Sequence, residues 1–337
     1  MKLKRDLIYP EGSWVALITP FDERGELDIA GFKRLVDFQV ANGTSGLLLM
    51  GSTGEPTSLR QEERRLIIEE MVPYCHGKIP AFIGVTCGTT AQTAELAQLV
   101  QKKGGDGIMV VVPSYIAPPQ PAVYEFLKTV CRSVDIAVAV YNNPARVIVN
   151  IDPPTILRLL DECPNLVADK EAVPSVAQLA SVMNGAKGRL RLLCCDAPNY
   201  ALTIPTLGMG GHGTANVTGN IAPGEMAELS KPWRSWEDVE KGRALYFEYL
   251  PLMEAAYSAT NPVAVKAMAK LMSLPSGDPR PPLPKVEGEK LKGLEEVIRR
   301  FKLREKYGLD RGSPVDMTGS DSPDVLGQTV CRVKTDT

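Results

Sequence analysis

Four short runs decide the fold: Pro80-Ala81-Phe82-Ile83-Gly84-Val85, Gly107-Ile108-Met109-Val110-Val111-Val112, Ala137-Val138-Ala139-Val140-Tyr141 and Leu166-Val167-Ala168-Asp169-Lys170. Each is mostly apolar and carries β-branched or aromatic residues. A strand covered on both faces reads this way. Between them lie stretches with helical spacing, near 90–103, 122–133 and 153–161. The same alternation extends outward. Upstream are Val15-Ala16-Leu17-Ile18-Thr19 and Gly46-Leu47-Leu48-Leu49-Met50, with helical spacing after each. Downstream are Leu190-Arg191-Leu192-Leu193-Cys194 and Gly213-Thr214-Ala215-Asn216-Val217, with helices expected near 200–207 and after 217. Eight strand–helix units in about 220 residues match a TIM (β/α)8 barrel. A doubly wound dinucleotide fold would place G-x-G-x-x-G after its first strand, and none stands there.

The barrel is expected over 12–230. Apolar helical stretches near 239–256, 262–272 and 291–306 then form a helical C-terminal extension, taken as 231–306. Residues 307–337 lose apolar periodicity and are expected to be a mobile tail.

Composition excludes several classes. The chain has 337 residues with Lys+Arg 38 against Asp+Glu 40, a net charge of −2, which favours neither nucleic acid nor a membrane surface. Mean hydropathy is −0.07, and no run of about 18 apolar residues appears that could span a bilayer. The start, Met1-Lys2-Leu3-Lys4-Arg5-Asp6, lacks the apolar core of a secretion signal. Seven cysteines, scattered and without C-x-x-C spacing, suit a reduced, cytoplasmic setting. Only His76 and His212 are available for imidazole chemistry, and there is no G-x-S-x-G elbow. No metal site is expected.

Barrel active sites lie at the C-terminal strand ends. Strand two runs into Gly51-Ser52-Thr53-Gly54-Glu55, strand five into Tyr141-Asn142-Asn143-Pro144-Ala145-Arg146, and strand six ends in Lys170. A lysine inside a barrel is poorly solvated, its pKa falls, and the neutral amine can attack a carbonyl. The alternative is an edge lysine paired with Asp169 or Glu171, although strand alternation turns those carboxylates the other way. The Tyr141 phenol could move protons beside the amine; it could equally be a core or interface tyrosine. The glycines and hydroxyls of Gly51–Glu55 could hold a carboxylate or simply make a turn. Together the three strand ends suggest a carbonyl substrate bearing a carboxylate.

These motifs resemble the dihydrodipicolinate synthase / N-acetylneuraminate lyase family of pyruvate-dependent Schiff-base enzymes. The resemblance covers about 12–306. It rests on the opening 12–21, Gly51-Ser52-Thr53-Gly54-Glu55, Tyr141-Asn142, Lys170-Glu171-Ala172, Gly210-Gly211-His212-Gly213 and Asn261-Pro262-Val263-Ala264-Val265-Lys266. It implies an imine between Lys170 and the C2 of pyruvate or another 2-oxo acid, with no cofactor beyond that covalent link. Tyr141 would shuttle protons, and Ser52 would relay them. Thr53, with the backbone from Gly51, would hold the pyruvate carboxylate, and Ala215 would line the pocket. Tyr115 would reach into a neighbouring subunit, which implies a homodimer or homotetramer. Arg146 would grip the carboxylate of an aldehyde co-substrate.

Arg146 makes 4-hydroxy-tetrahydrodipicolinate synthase, acting on pyruvate and aspartate semialdehyde, the first expectation. A 2-keto-3-deoxy acid aldolase or dehydratase is the alternative, because Val147-Ile148 and Val173-Pro174 replace the usual synthase residues and Asp169 precedes the lysine. A non-catalytic barrel is a third reading. Many synthases of the family are inhibited by lysine. The positions that hold this effector fall here on Gln61, Arg64, Gly88, Gln92 and Ser114, a set that lacks the charge to pair an ammonium.

Overall fold

The computed structural model describes residues 6–309. The tail expected over 307–337 lies almost entirely outside them, as does Cys331.

Eight parallel strands close into one barrel in sequence order. They are β1 (Gly12–Ala16), β2 (Gly46–Leu49), β3 (Ala81–Gly84), β4 (Gly107–Val111), β5 (Ala137–Asn142), β6 (Leu166–Glu171), β7 (Arg191–Cys194) and β8 (Gly213–Asn216). The helices outside are α1 (Ile29–Ala41), α2 (Gln61–Cys75), α3 (Thr90–Lys102), α4 (Gln120–Arg132), the short α5 (Pro144–Val147), α6 (Pro153–Glu162), α7 (Val176–Ala186), α8 (Thr203–Gly208) and α9 (Pro223–Leu229). The extension is α10 (Trp236–Ala256), α11 (Val263–Leu271), α12 (Gly288–Arg300) and α13 (Leu303–Lys306).

Local chemistry explains where elements differ from the sequence reading. β1 begins earlier and stops at Ala16, because Gly12 to Val15 pair with Gly213 to Asn216 of β8. Past Ala16, the Ile18 N–H is satisfied by the Asn220 side chain rather than by a strand. The helix expected over 200–207 starts later, because Ala201 takes a left-handed φ of 51° after the turn Pro198–Tyr200. α10 starts at Trp236 because Ser235 and Asp238 form a capping box. The last expected helix splits where Lys302 turns left-handed, φ 52°.

Strand alternation sorts side chains into two cores. The barrel interior holds Trp14, Leu48, Phe82, Met109, Ala139, Tyr141, Ala168, Leu193, Cys195 and Ala215. Trp14 and Phe82 meet edge to face at 4.9 Å and plug the lower half. Glycine is required beside them. A Cβ at Gly46 would fall 2.5 Å from the Trp14 ring, and one at Gly107 2.5 Å from that of Phe82. The opposite strand faces pack on the helices in the larger core, built around Phe32, Leu47, Ile67, Ile83, Val140 and Leu192.

One irregularity aims the upper rim. Val138 pairs with Leu166, but Ala139 pairs with Ala168, so Val167 is an extra residue on β6. Such a bulge re-aims the remainder of its strand. On the far side of it Tyr141 stands beside Lys170 in register.

Candidate active site

Lys170 is the penultimate residue of β6, inside the barrel, and is 4% exposed. Its Nζ lies 4.2 Å from the centre of the Tyr141 ring. Burial drives the lysine pKa down, the Cys195 and Asp196 side chains push it up, and the Arg146 charge lowers it again. Glu171 points outward, where it accepts from the Ala172 N–H at 2.9 Å and from Gln178 at 3.0 Å. Asp169 is also turned outward, between Val140 and Leu192 of the outer core. The fold therefore does not build the alternative of an edge lysine paired with its flanking carboxylates.

Tyr141 is buried as well. Burial raises its phenol pKa well above the usual range, Cys195 adds to the rise, and hydrogen bonds from Asn143 and Ser52 oppose it. The Asn143 amide donates to the phenol oxygen at 2.6 Å. That leaves the phenol hydrogen for another acceptor.

The β2 loop forms the opposite wall. Thr53 is fully buried and accepts from the Asn261 side chain at 3.0 Å. Ser52 and Gly51 line a cleft of about 520 Å³ that runs past Tyr141 to Arg146. Ala215 lies buried on β8 among the interior side chains. Arg146 stands on α5 at the cleft mouth with its side chain exposed. Tyr115 is 90% exposed on the loop after β4, with φ 79°. The fold thus gathers Lys170, Tyr141, Ser52, Thr53, Gly51 and Ala215 at the upper barrel, leaves Arg146 at the mouth, and turns Tyr115 out of the single chain.

Neither histidine joins this group. His76 caps α2. His212 sits at the start of β8, where its Nδ1 accepts from the Leu192 N–H at 3.1 Å. Burial, with the Arg191 and Arg234 charges, lowers its pKa to about 4. Among the described residues, no three His, Cys, Asp or Glu side chains are placed to hold a metal.

Residues without an assigned role in the sequence reading also border the site. Asn143 holds Tyr141, and the Cys195 thiol lies close enough to Lys170 and Tyr141 to influence both. Asp196, two residues past the end of β7, accepts from the Val217 and Thr218 N–H groups at 2.9 and 3.0 Å and from the Tyr257 hydroxyl at 2.5 Å. Tyr141 and Ser52 line the cleft, and Lys170 lies directly against the Tyr141 ring; an amine beside a phenol and a hydroxyl can form an imine and pass protons to and from it.

A closed eight-stranded barrel with a buried lysine beside a tyrosine defines a class of barrel lyases. Residues 9–301 match the family model described as the dihydrodipicolinate synthetase family, and the chain belongs to that family. Relatives agree. The 4-hydroxy-tetrahydrodipicolinate synthase of Methanocaldococcus jannaschii is 32% identical over 87% of this chain and 99% of its own. That of Aquifex aeolicus is 33% identical over 87% and 98%. The crystal structure of dihydrodipicolinate synthase from Aquifex aeolicus superposes with a TM-score of 0.82 at 33% identity, covering 88% of this chain and 99% of that one. A monomeric dihydrodipicolinate synthase variant gives a TM-score of 0.81 at 31% identity, covering 87% and 97%.

Proposed function

We propose that the chain is a 4-hydroxy-tetrahydrodipicolinate synthase that joins pyruvate to aspartate semialdehyde through an imine on Lys170. The observation that carries this reading is the buried Lys170 amine against the Tyr141 ring, in a family whose relatives bear that name. Burial favours the neutral amine. Its lone pair attacks C2 of pyruvate. The carbonyl oxygen takes protons and leaves as water, giving an iminium ion. Loss of a proton from C3 makes an enamine, whose C3 bonds to the aldehyde carbon while the aldehyde oxygen takes a proton. The amine of the bound semialdehyde then displaces Lys170 from C2, which closes the ring and frees the enzyme.

In this reading Tyr141 carries the protons, with Ser52 as its relay. Thr53 and the Gly51 backbone take the pyruvate carboxylate, and Ala215 walls the pocket. Arg146 meets the second carboxylate, since a guanidinium can bind one with two parallel hydrogen bonds. The lysine supplies the electron sink, so no metal or organic cofactor enters. A cytoplasmic homodimer or homotetramer would cover the exposed Tyr115.

The test is borohydride reduction in the presence of pyruvate. One reduced pyruvyl group should appear on the Lys170 peptide, survive exhaustive chelation, and vanish in Lys170→Ala. Label on a different lysine overturns the reading. Turnover of 2-keto-3-deoxy acids in place of pyruvate plus aspartate semialdehyde would move the chain to the aldolase or dehydratase alternative.

A further inference from the structure

The loop Gly51–Glu55 is held by residues far away in sequence. Asn261 reaches Thr53 across 208 positions, and Lys266 reaches Glu55 across 211. The Lys266 ammonium, 0% exposed, donates to Glu55 Oε1 at 2.7 Å and to the Thr19 carbonyl at 3.1 Å. The Arg280 N–H takes the other Glu55 oxygen at 2.9 Å. The Thr19 hydroxyl donates to the Gly54 carbonyl at 2.8 Å. Glu55 is thereby kept left-handed at φ 53°. A buried ion pair returns little net stability, because removing both charges from water costs about what their attraction gives. The value of this one is better sought in where it puts the loop.

Asn261 acts on the loop's central hydroxyl. A threonine hydroxyl has one hydrogen to give and lone pairs to receive. The Asn261 Nδ2 group fills a receiving position on Thr53. The Thr53 hydrogen has no acceptor among the described residues. A hydroxyl polarised in this sense offers its hydrogen to an anion; with the opposite sense it would offer lone pairs and repel one. Asn261 is buried, precedes α11, and belongs to the extension, outside the barrel strands and loops that carry the other groups.

We propose that Asn261 is a positioning residue: it fixes the direction of the Thr53 hydroxyl so that the hydrogen faces the carboxylate of the 2-oxo acid. The proposal rests on the imine reading above and gives the C-terminal extension a part in substrate binding.

The experiment measures borohydride trapping against pyruvate concentration in the full chain. It compares parent, Asn261→Leu, Thr53→Val and the double variant. Asn261→Leu should raise half-saturating pyruvate by roughly 10-fold or more, the scale of one lost hydrogen bond to a charged group. Trapping at saturating pyruvate and half-saturation for the aldehyde should move by no more than about twofold, within ordinary additivity error. In the Thr53→Val background, Asn261→Leu should add no more than about twofold, because the hydroxyl it directs is gone. The same penalty in both backgrounds overturns the proposal, as does unchanged half-saturation or a matching loss for the aldehyde. Asn261→Ala gives the same reading if the leucine variant does not fold. A parent that is not trapped at Lys170 overturns the imine reading and this proposal with it. Normal trapping with no Asn261 effect overturns this proposal alone.

Discussion

Asp169 puts a carboxyl where its strand needs hydrocarbon. It is fully buried between Val140 and Leu192, and neither side-chain oxygen has a hydrogen-bond partner among the described residues. Burial, with the nearby Glu171 charge, pushes its pKa far above the usual carboxylate range. The folded state therefore favours the protonated form. Its contribution is fully present below the unfolded value near 3.8 and is lost as pH rises through the folded one. At neutral pH the residue is a burden. Asp169→Val should stabilise the protein by about 1–3 kcal/mol, the cost of an unpaired buried polar group. Urea unfolding should show a larger gain at pH 8 than at pH 4; destabilisation at both would mean that the carboxyl has a partner. Arg146 is the opposite case, an exposed charge at the cleft mouth. Arg146→Ala should leave pyruvate trapping intact and raise half-saturating aldehyde by about 10-fold or more, as for a lost charged hydrogen bond. If trapping collapses too, the arginine is structural.

Among elements, α2 bears on the expectation that L-lysine does not inhibit this chain. The Arg64 side chain folds inward from that helix. It donates to the Pro56 carbonyl at 3.0 Å, the Thr86 carbonyl at 3.0 Å and the Cys87 sulfur at 3.1 Å. The guanidinium thus staples the loops after β2 and β3, and a positive charge fixed at a position expected from the resemblance to hold an effector ammonium would repel one. Turnover should show no saturable inhibition by L-lysine up to millimolar levels; a saturable loss of rate would refute this. The missing charge is legible in the sequence, because each loop residue stands at a fixed offset from Gly51-Ser52-Thr53-Gly54-Glu55. The staple is not, since it joins separate loops. Strand ends are legible for a similar reason. Period-two alternation and the βα rhythm locate Lys170, Tyr141 and Gly51 by local pattern alone. Asn143 is visible in Tyr141-Asn142-Asn143, yet nothing local says that its amide turns back onto the phenol. Asn261 and Asp196 depend on tertiary contacts across 208 and 61 positions, and no periodicity encodes those.

The molecule as a whole is closed by the seam of β7, β8 and β1, and His212 sits at the lower end of that seam. Its N–H donates to the Leu192 carbonyl at 2.9 Å, its carbonyl accepts from Gly12 at 2.8 Å, and its ring accepts from Leu192. Protonating the ring removes that last acceptor and adds a third positive charge beside Arg191 and Arg234. The folded pKa of about 4 lies below the ordinary 6.5 of a histidine. This contribution is therefore present above pH 6.5 and is lost as pH falls toward about 4. It is worth at most about 3 kcal/mol, less after solvent screening of a partly exposed ring. Thermal unfolding between pH 7 and pH 4 should fall less steeply in His212→Asn than in the parent; parallel curves would remove the histidine from the account.

The tie between Thr53 and Asn261 also has a meaning in time. A ribosome delivers the chain from its N-terminus at roughly 5–20 residues per second, so the 208 positions between the partners take on the order of 10–40 s to make. Lys170 is finished well before Asn261 exists. For the last 91 of those positions, on the order of 5–18 s at that rate, the nascent polypeptide carries Lys170 without the asparagine proposed to orient the substrate's anion. On that proposal, competence arrives late in translation, with the extension rather than with the lysine.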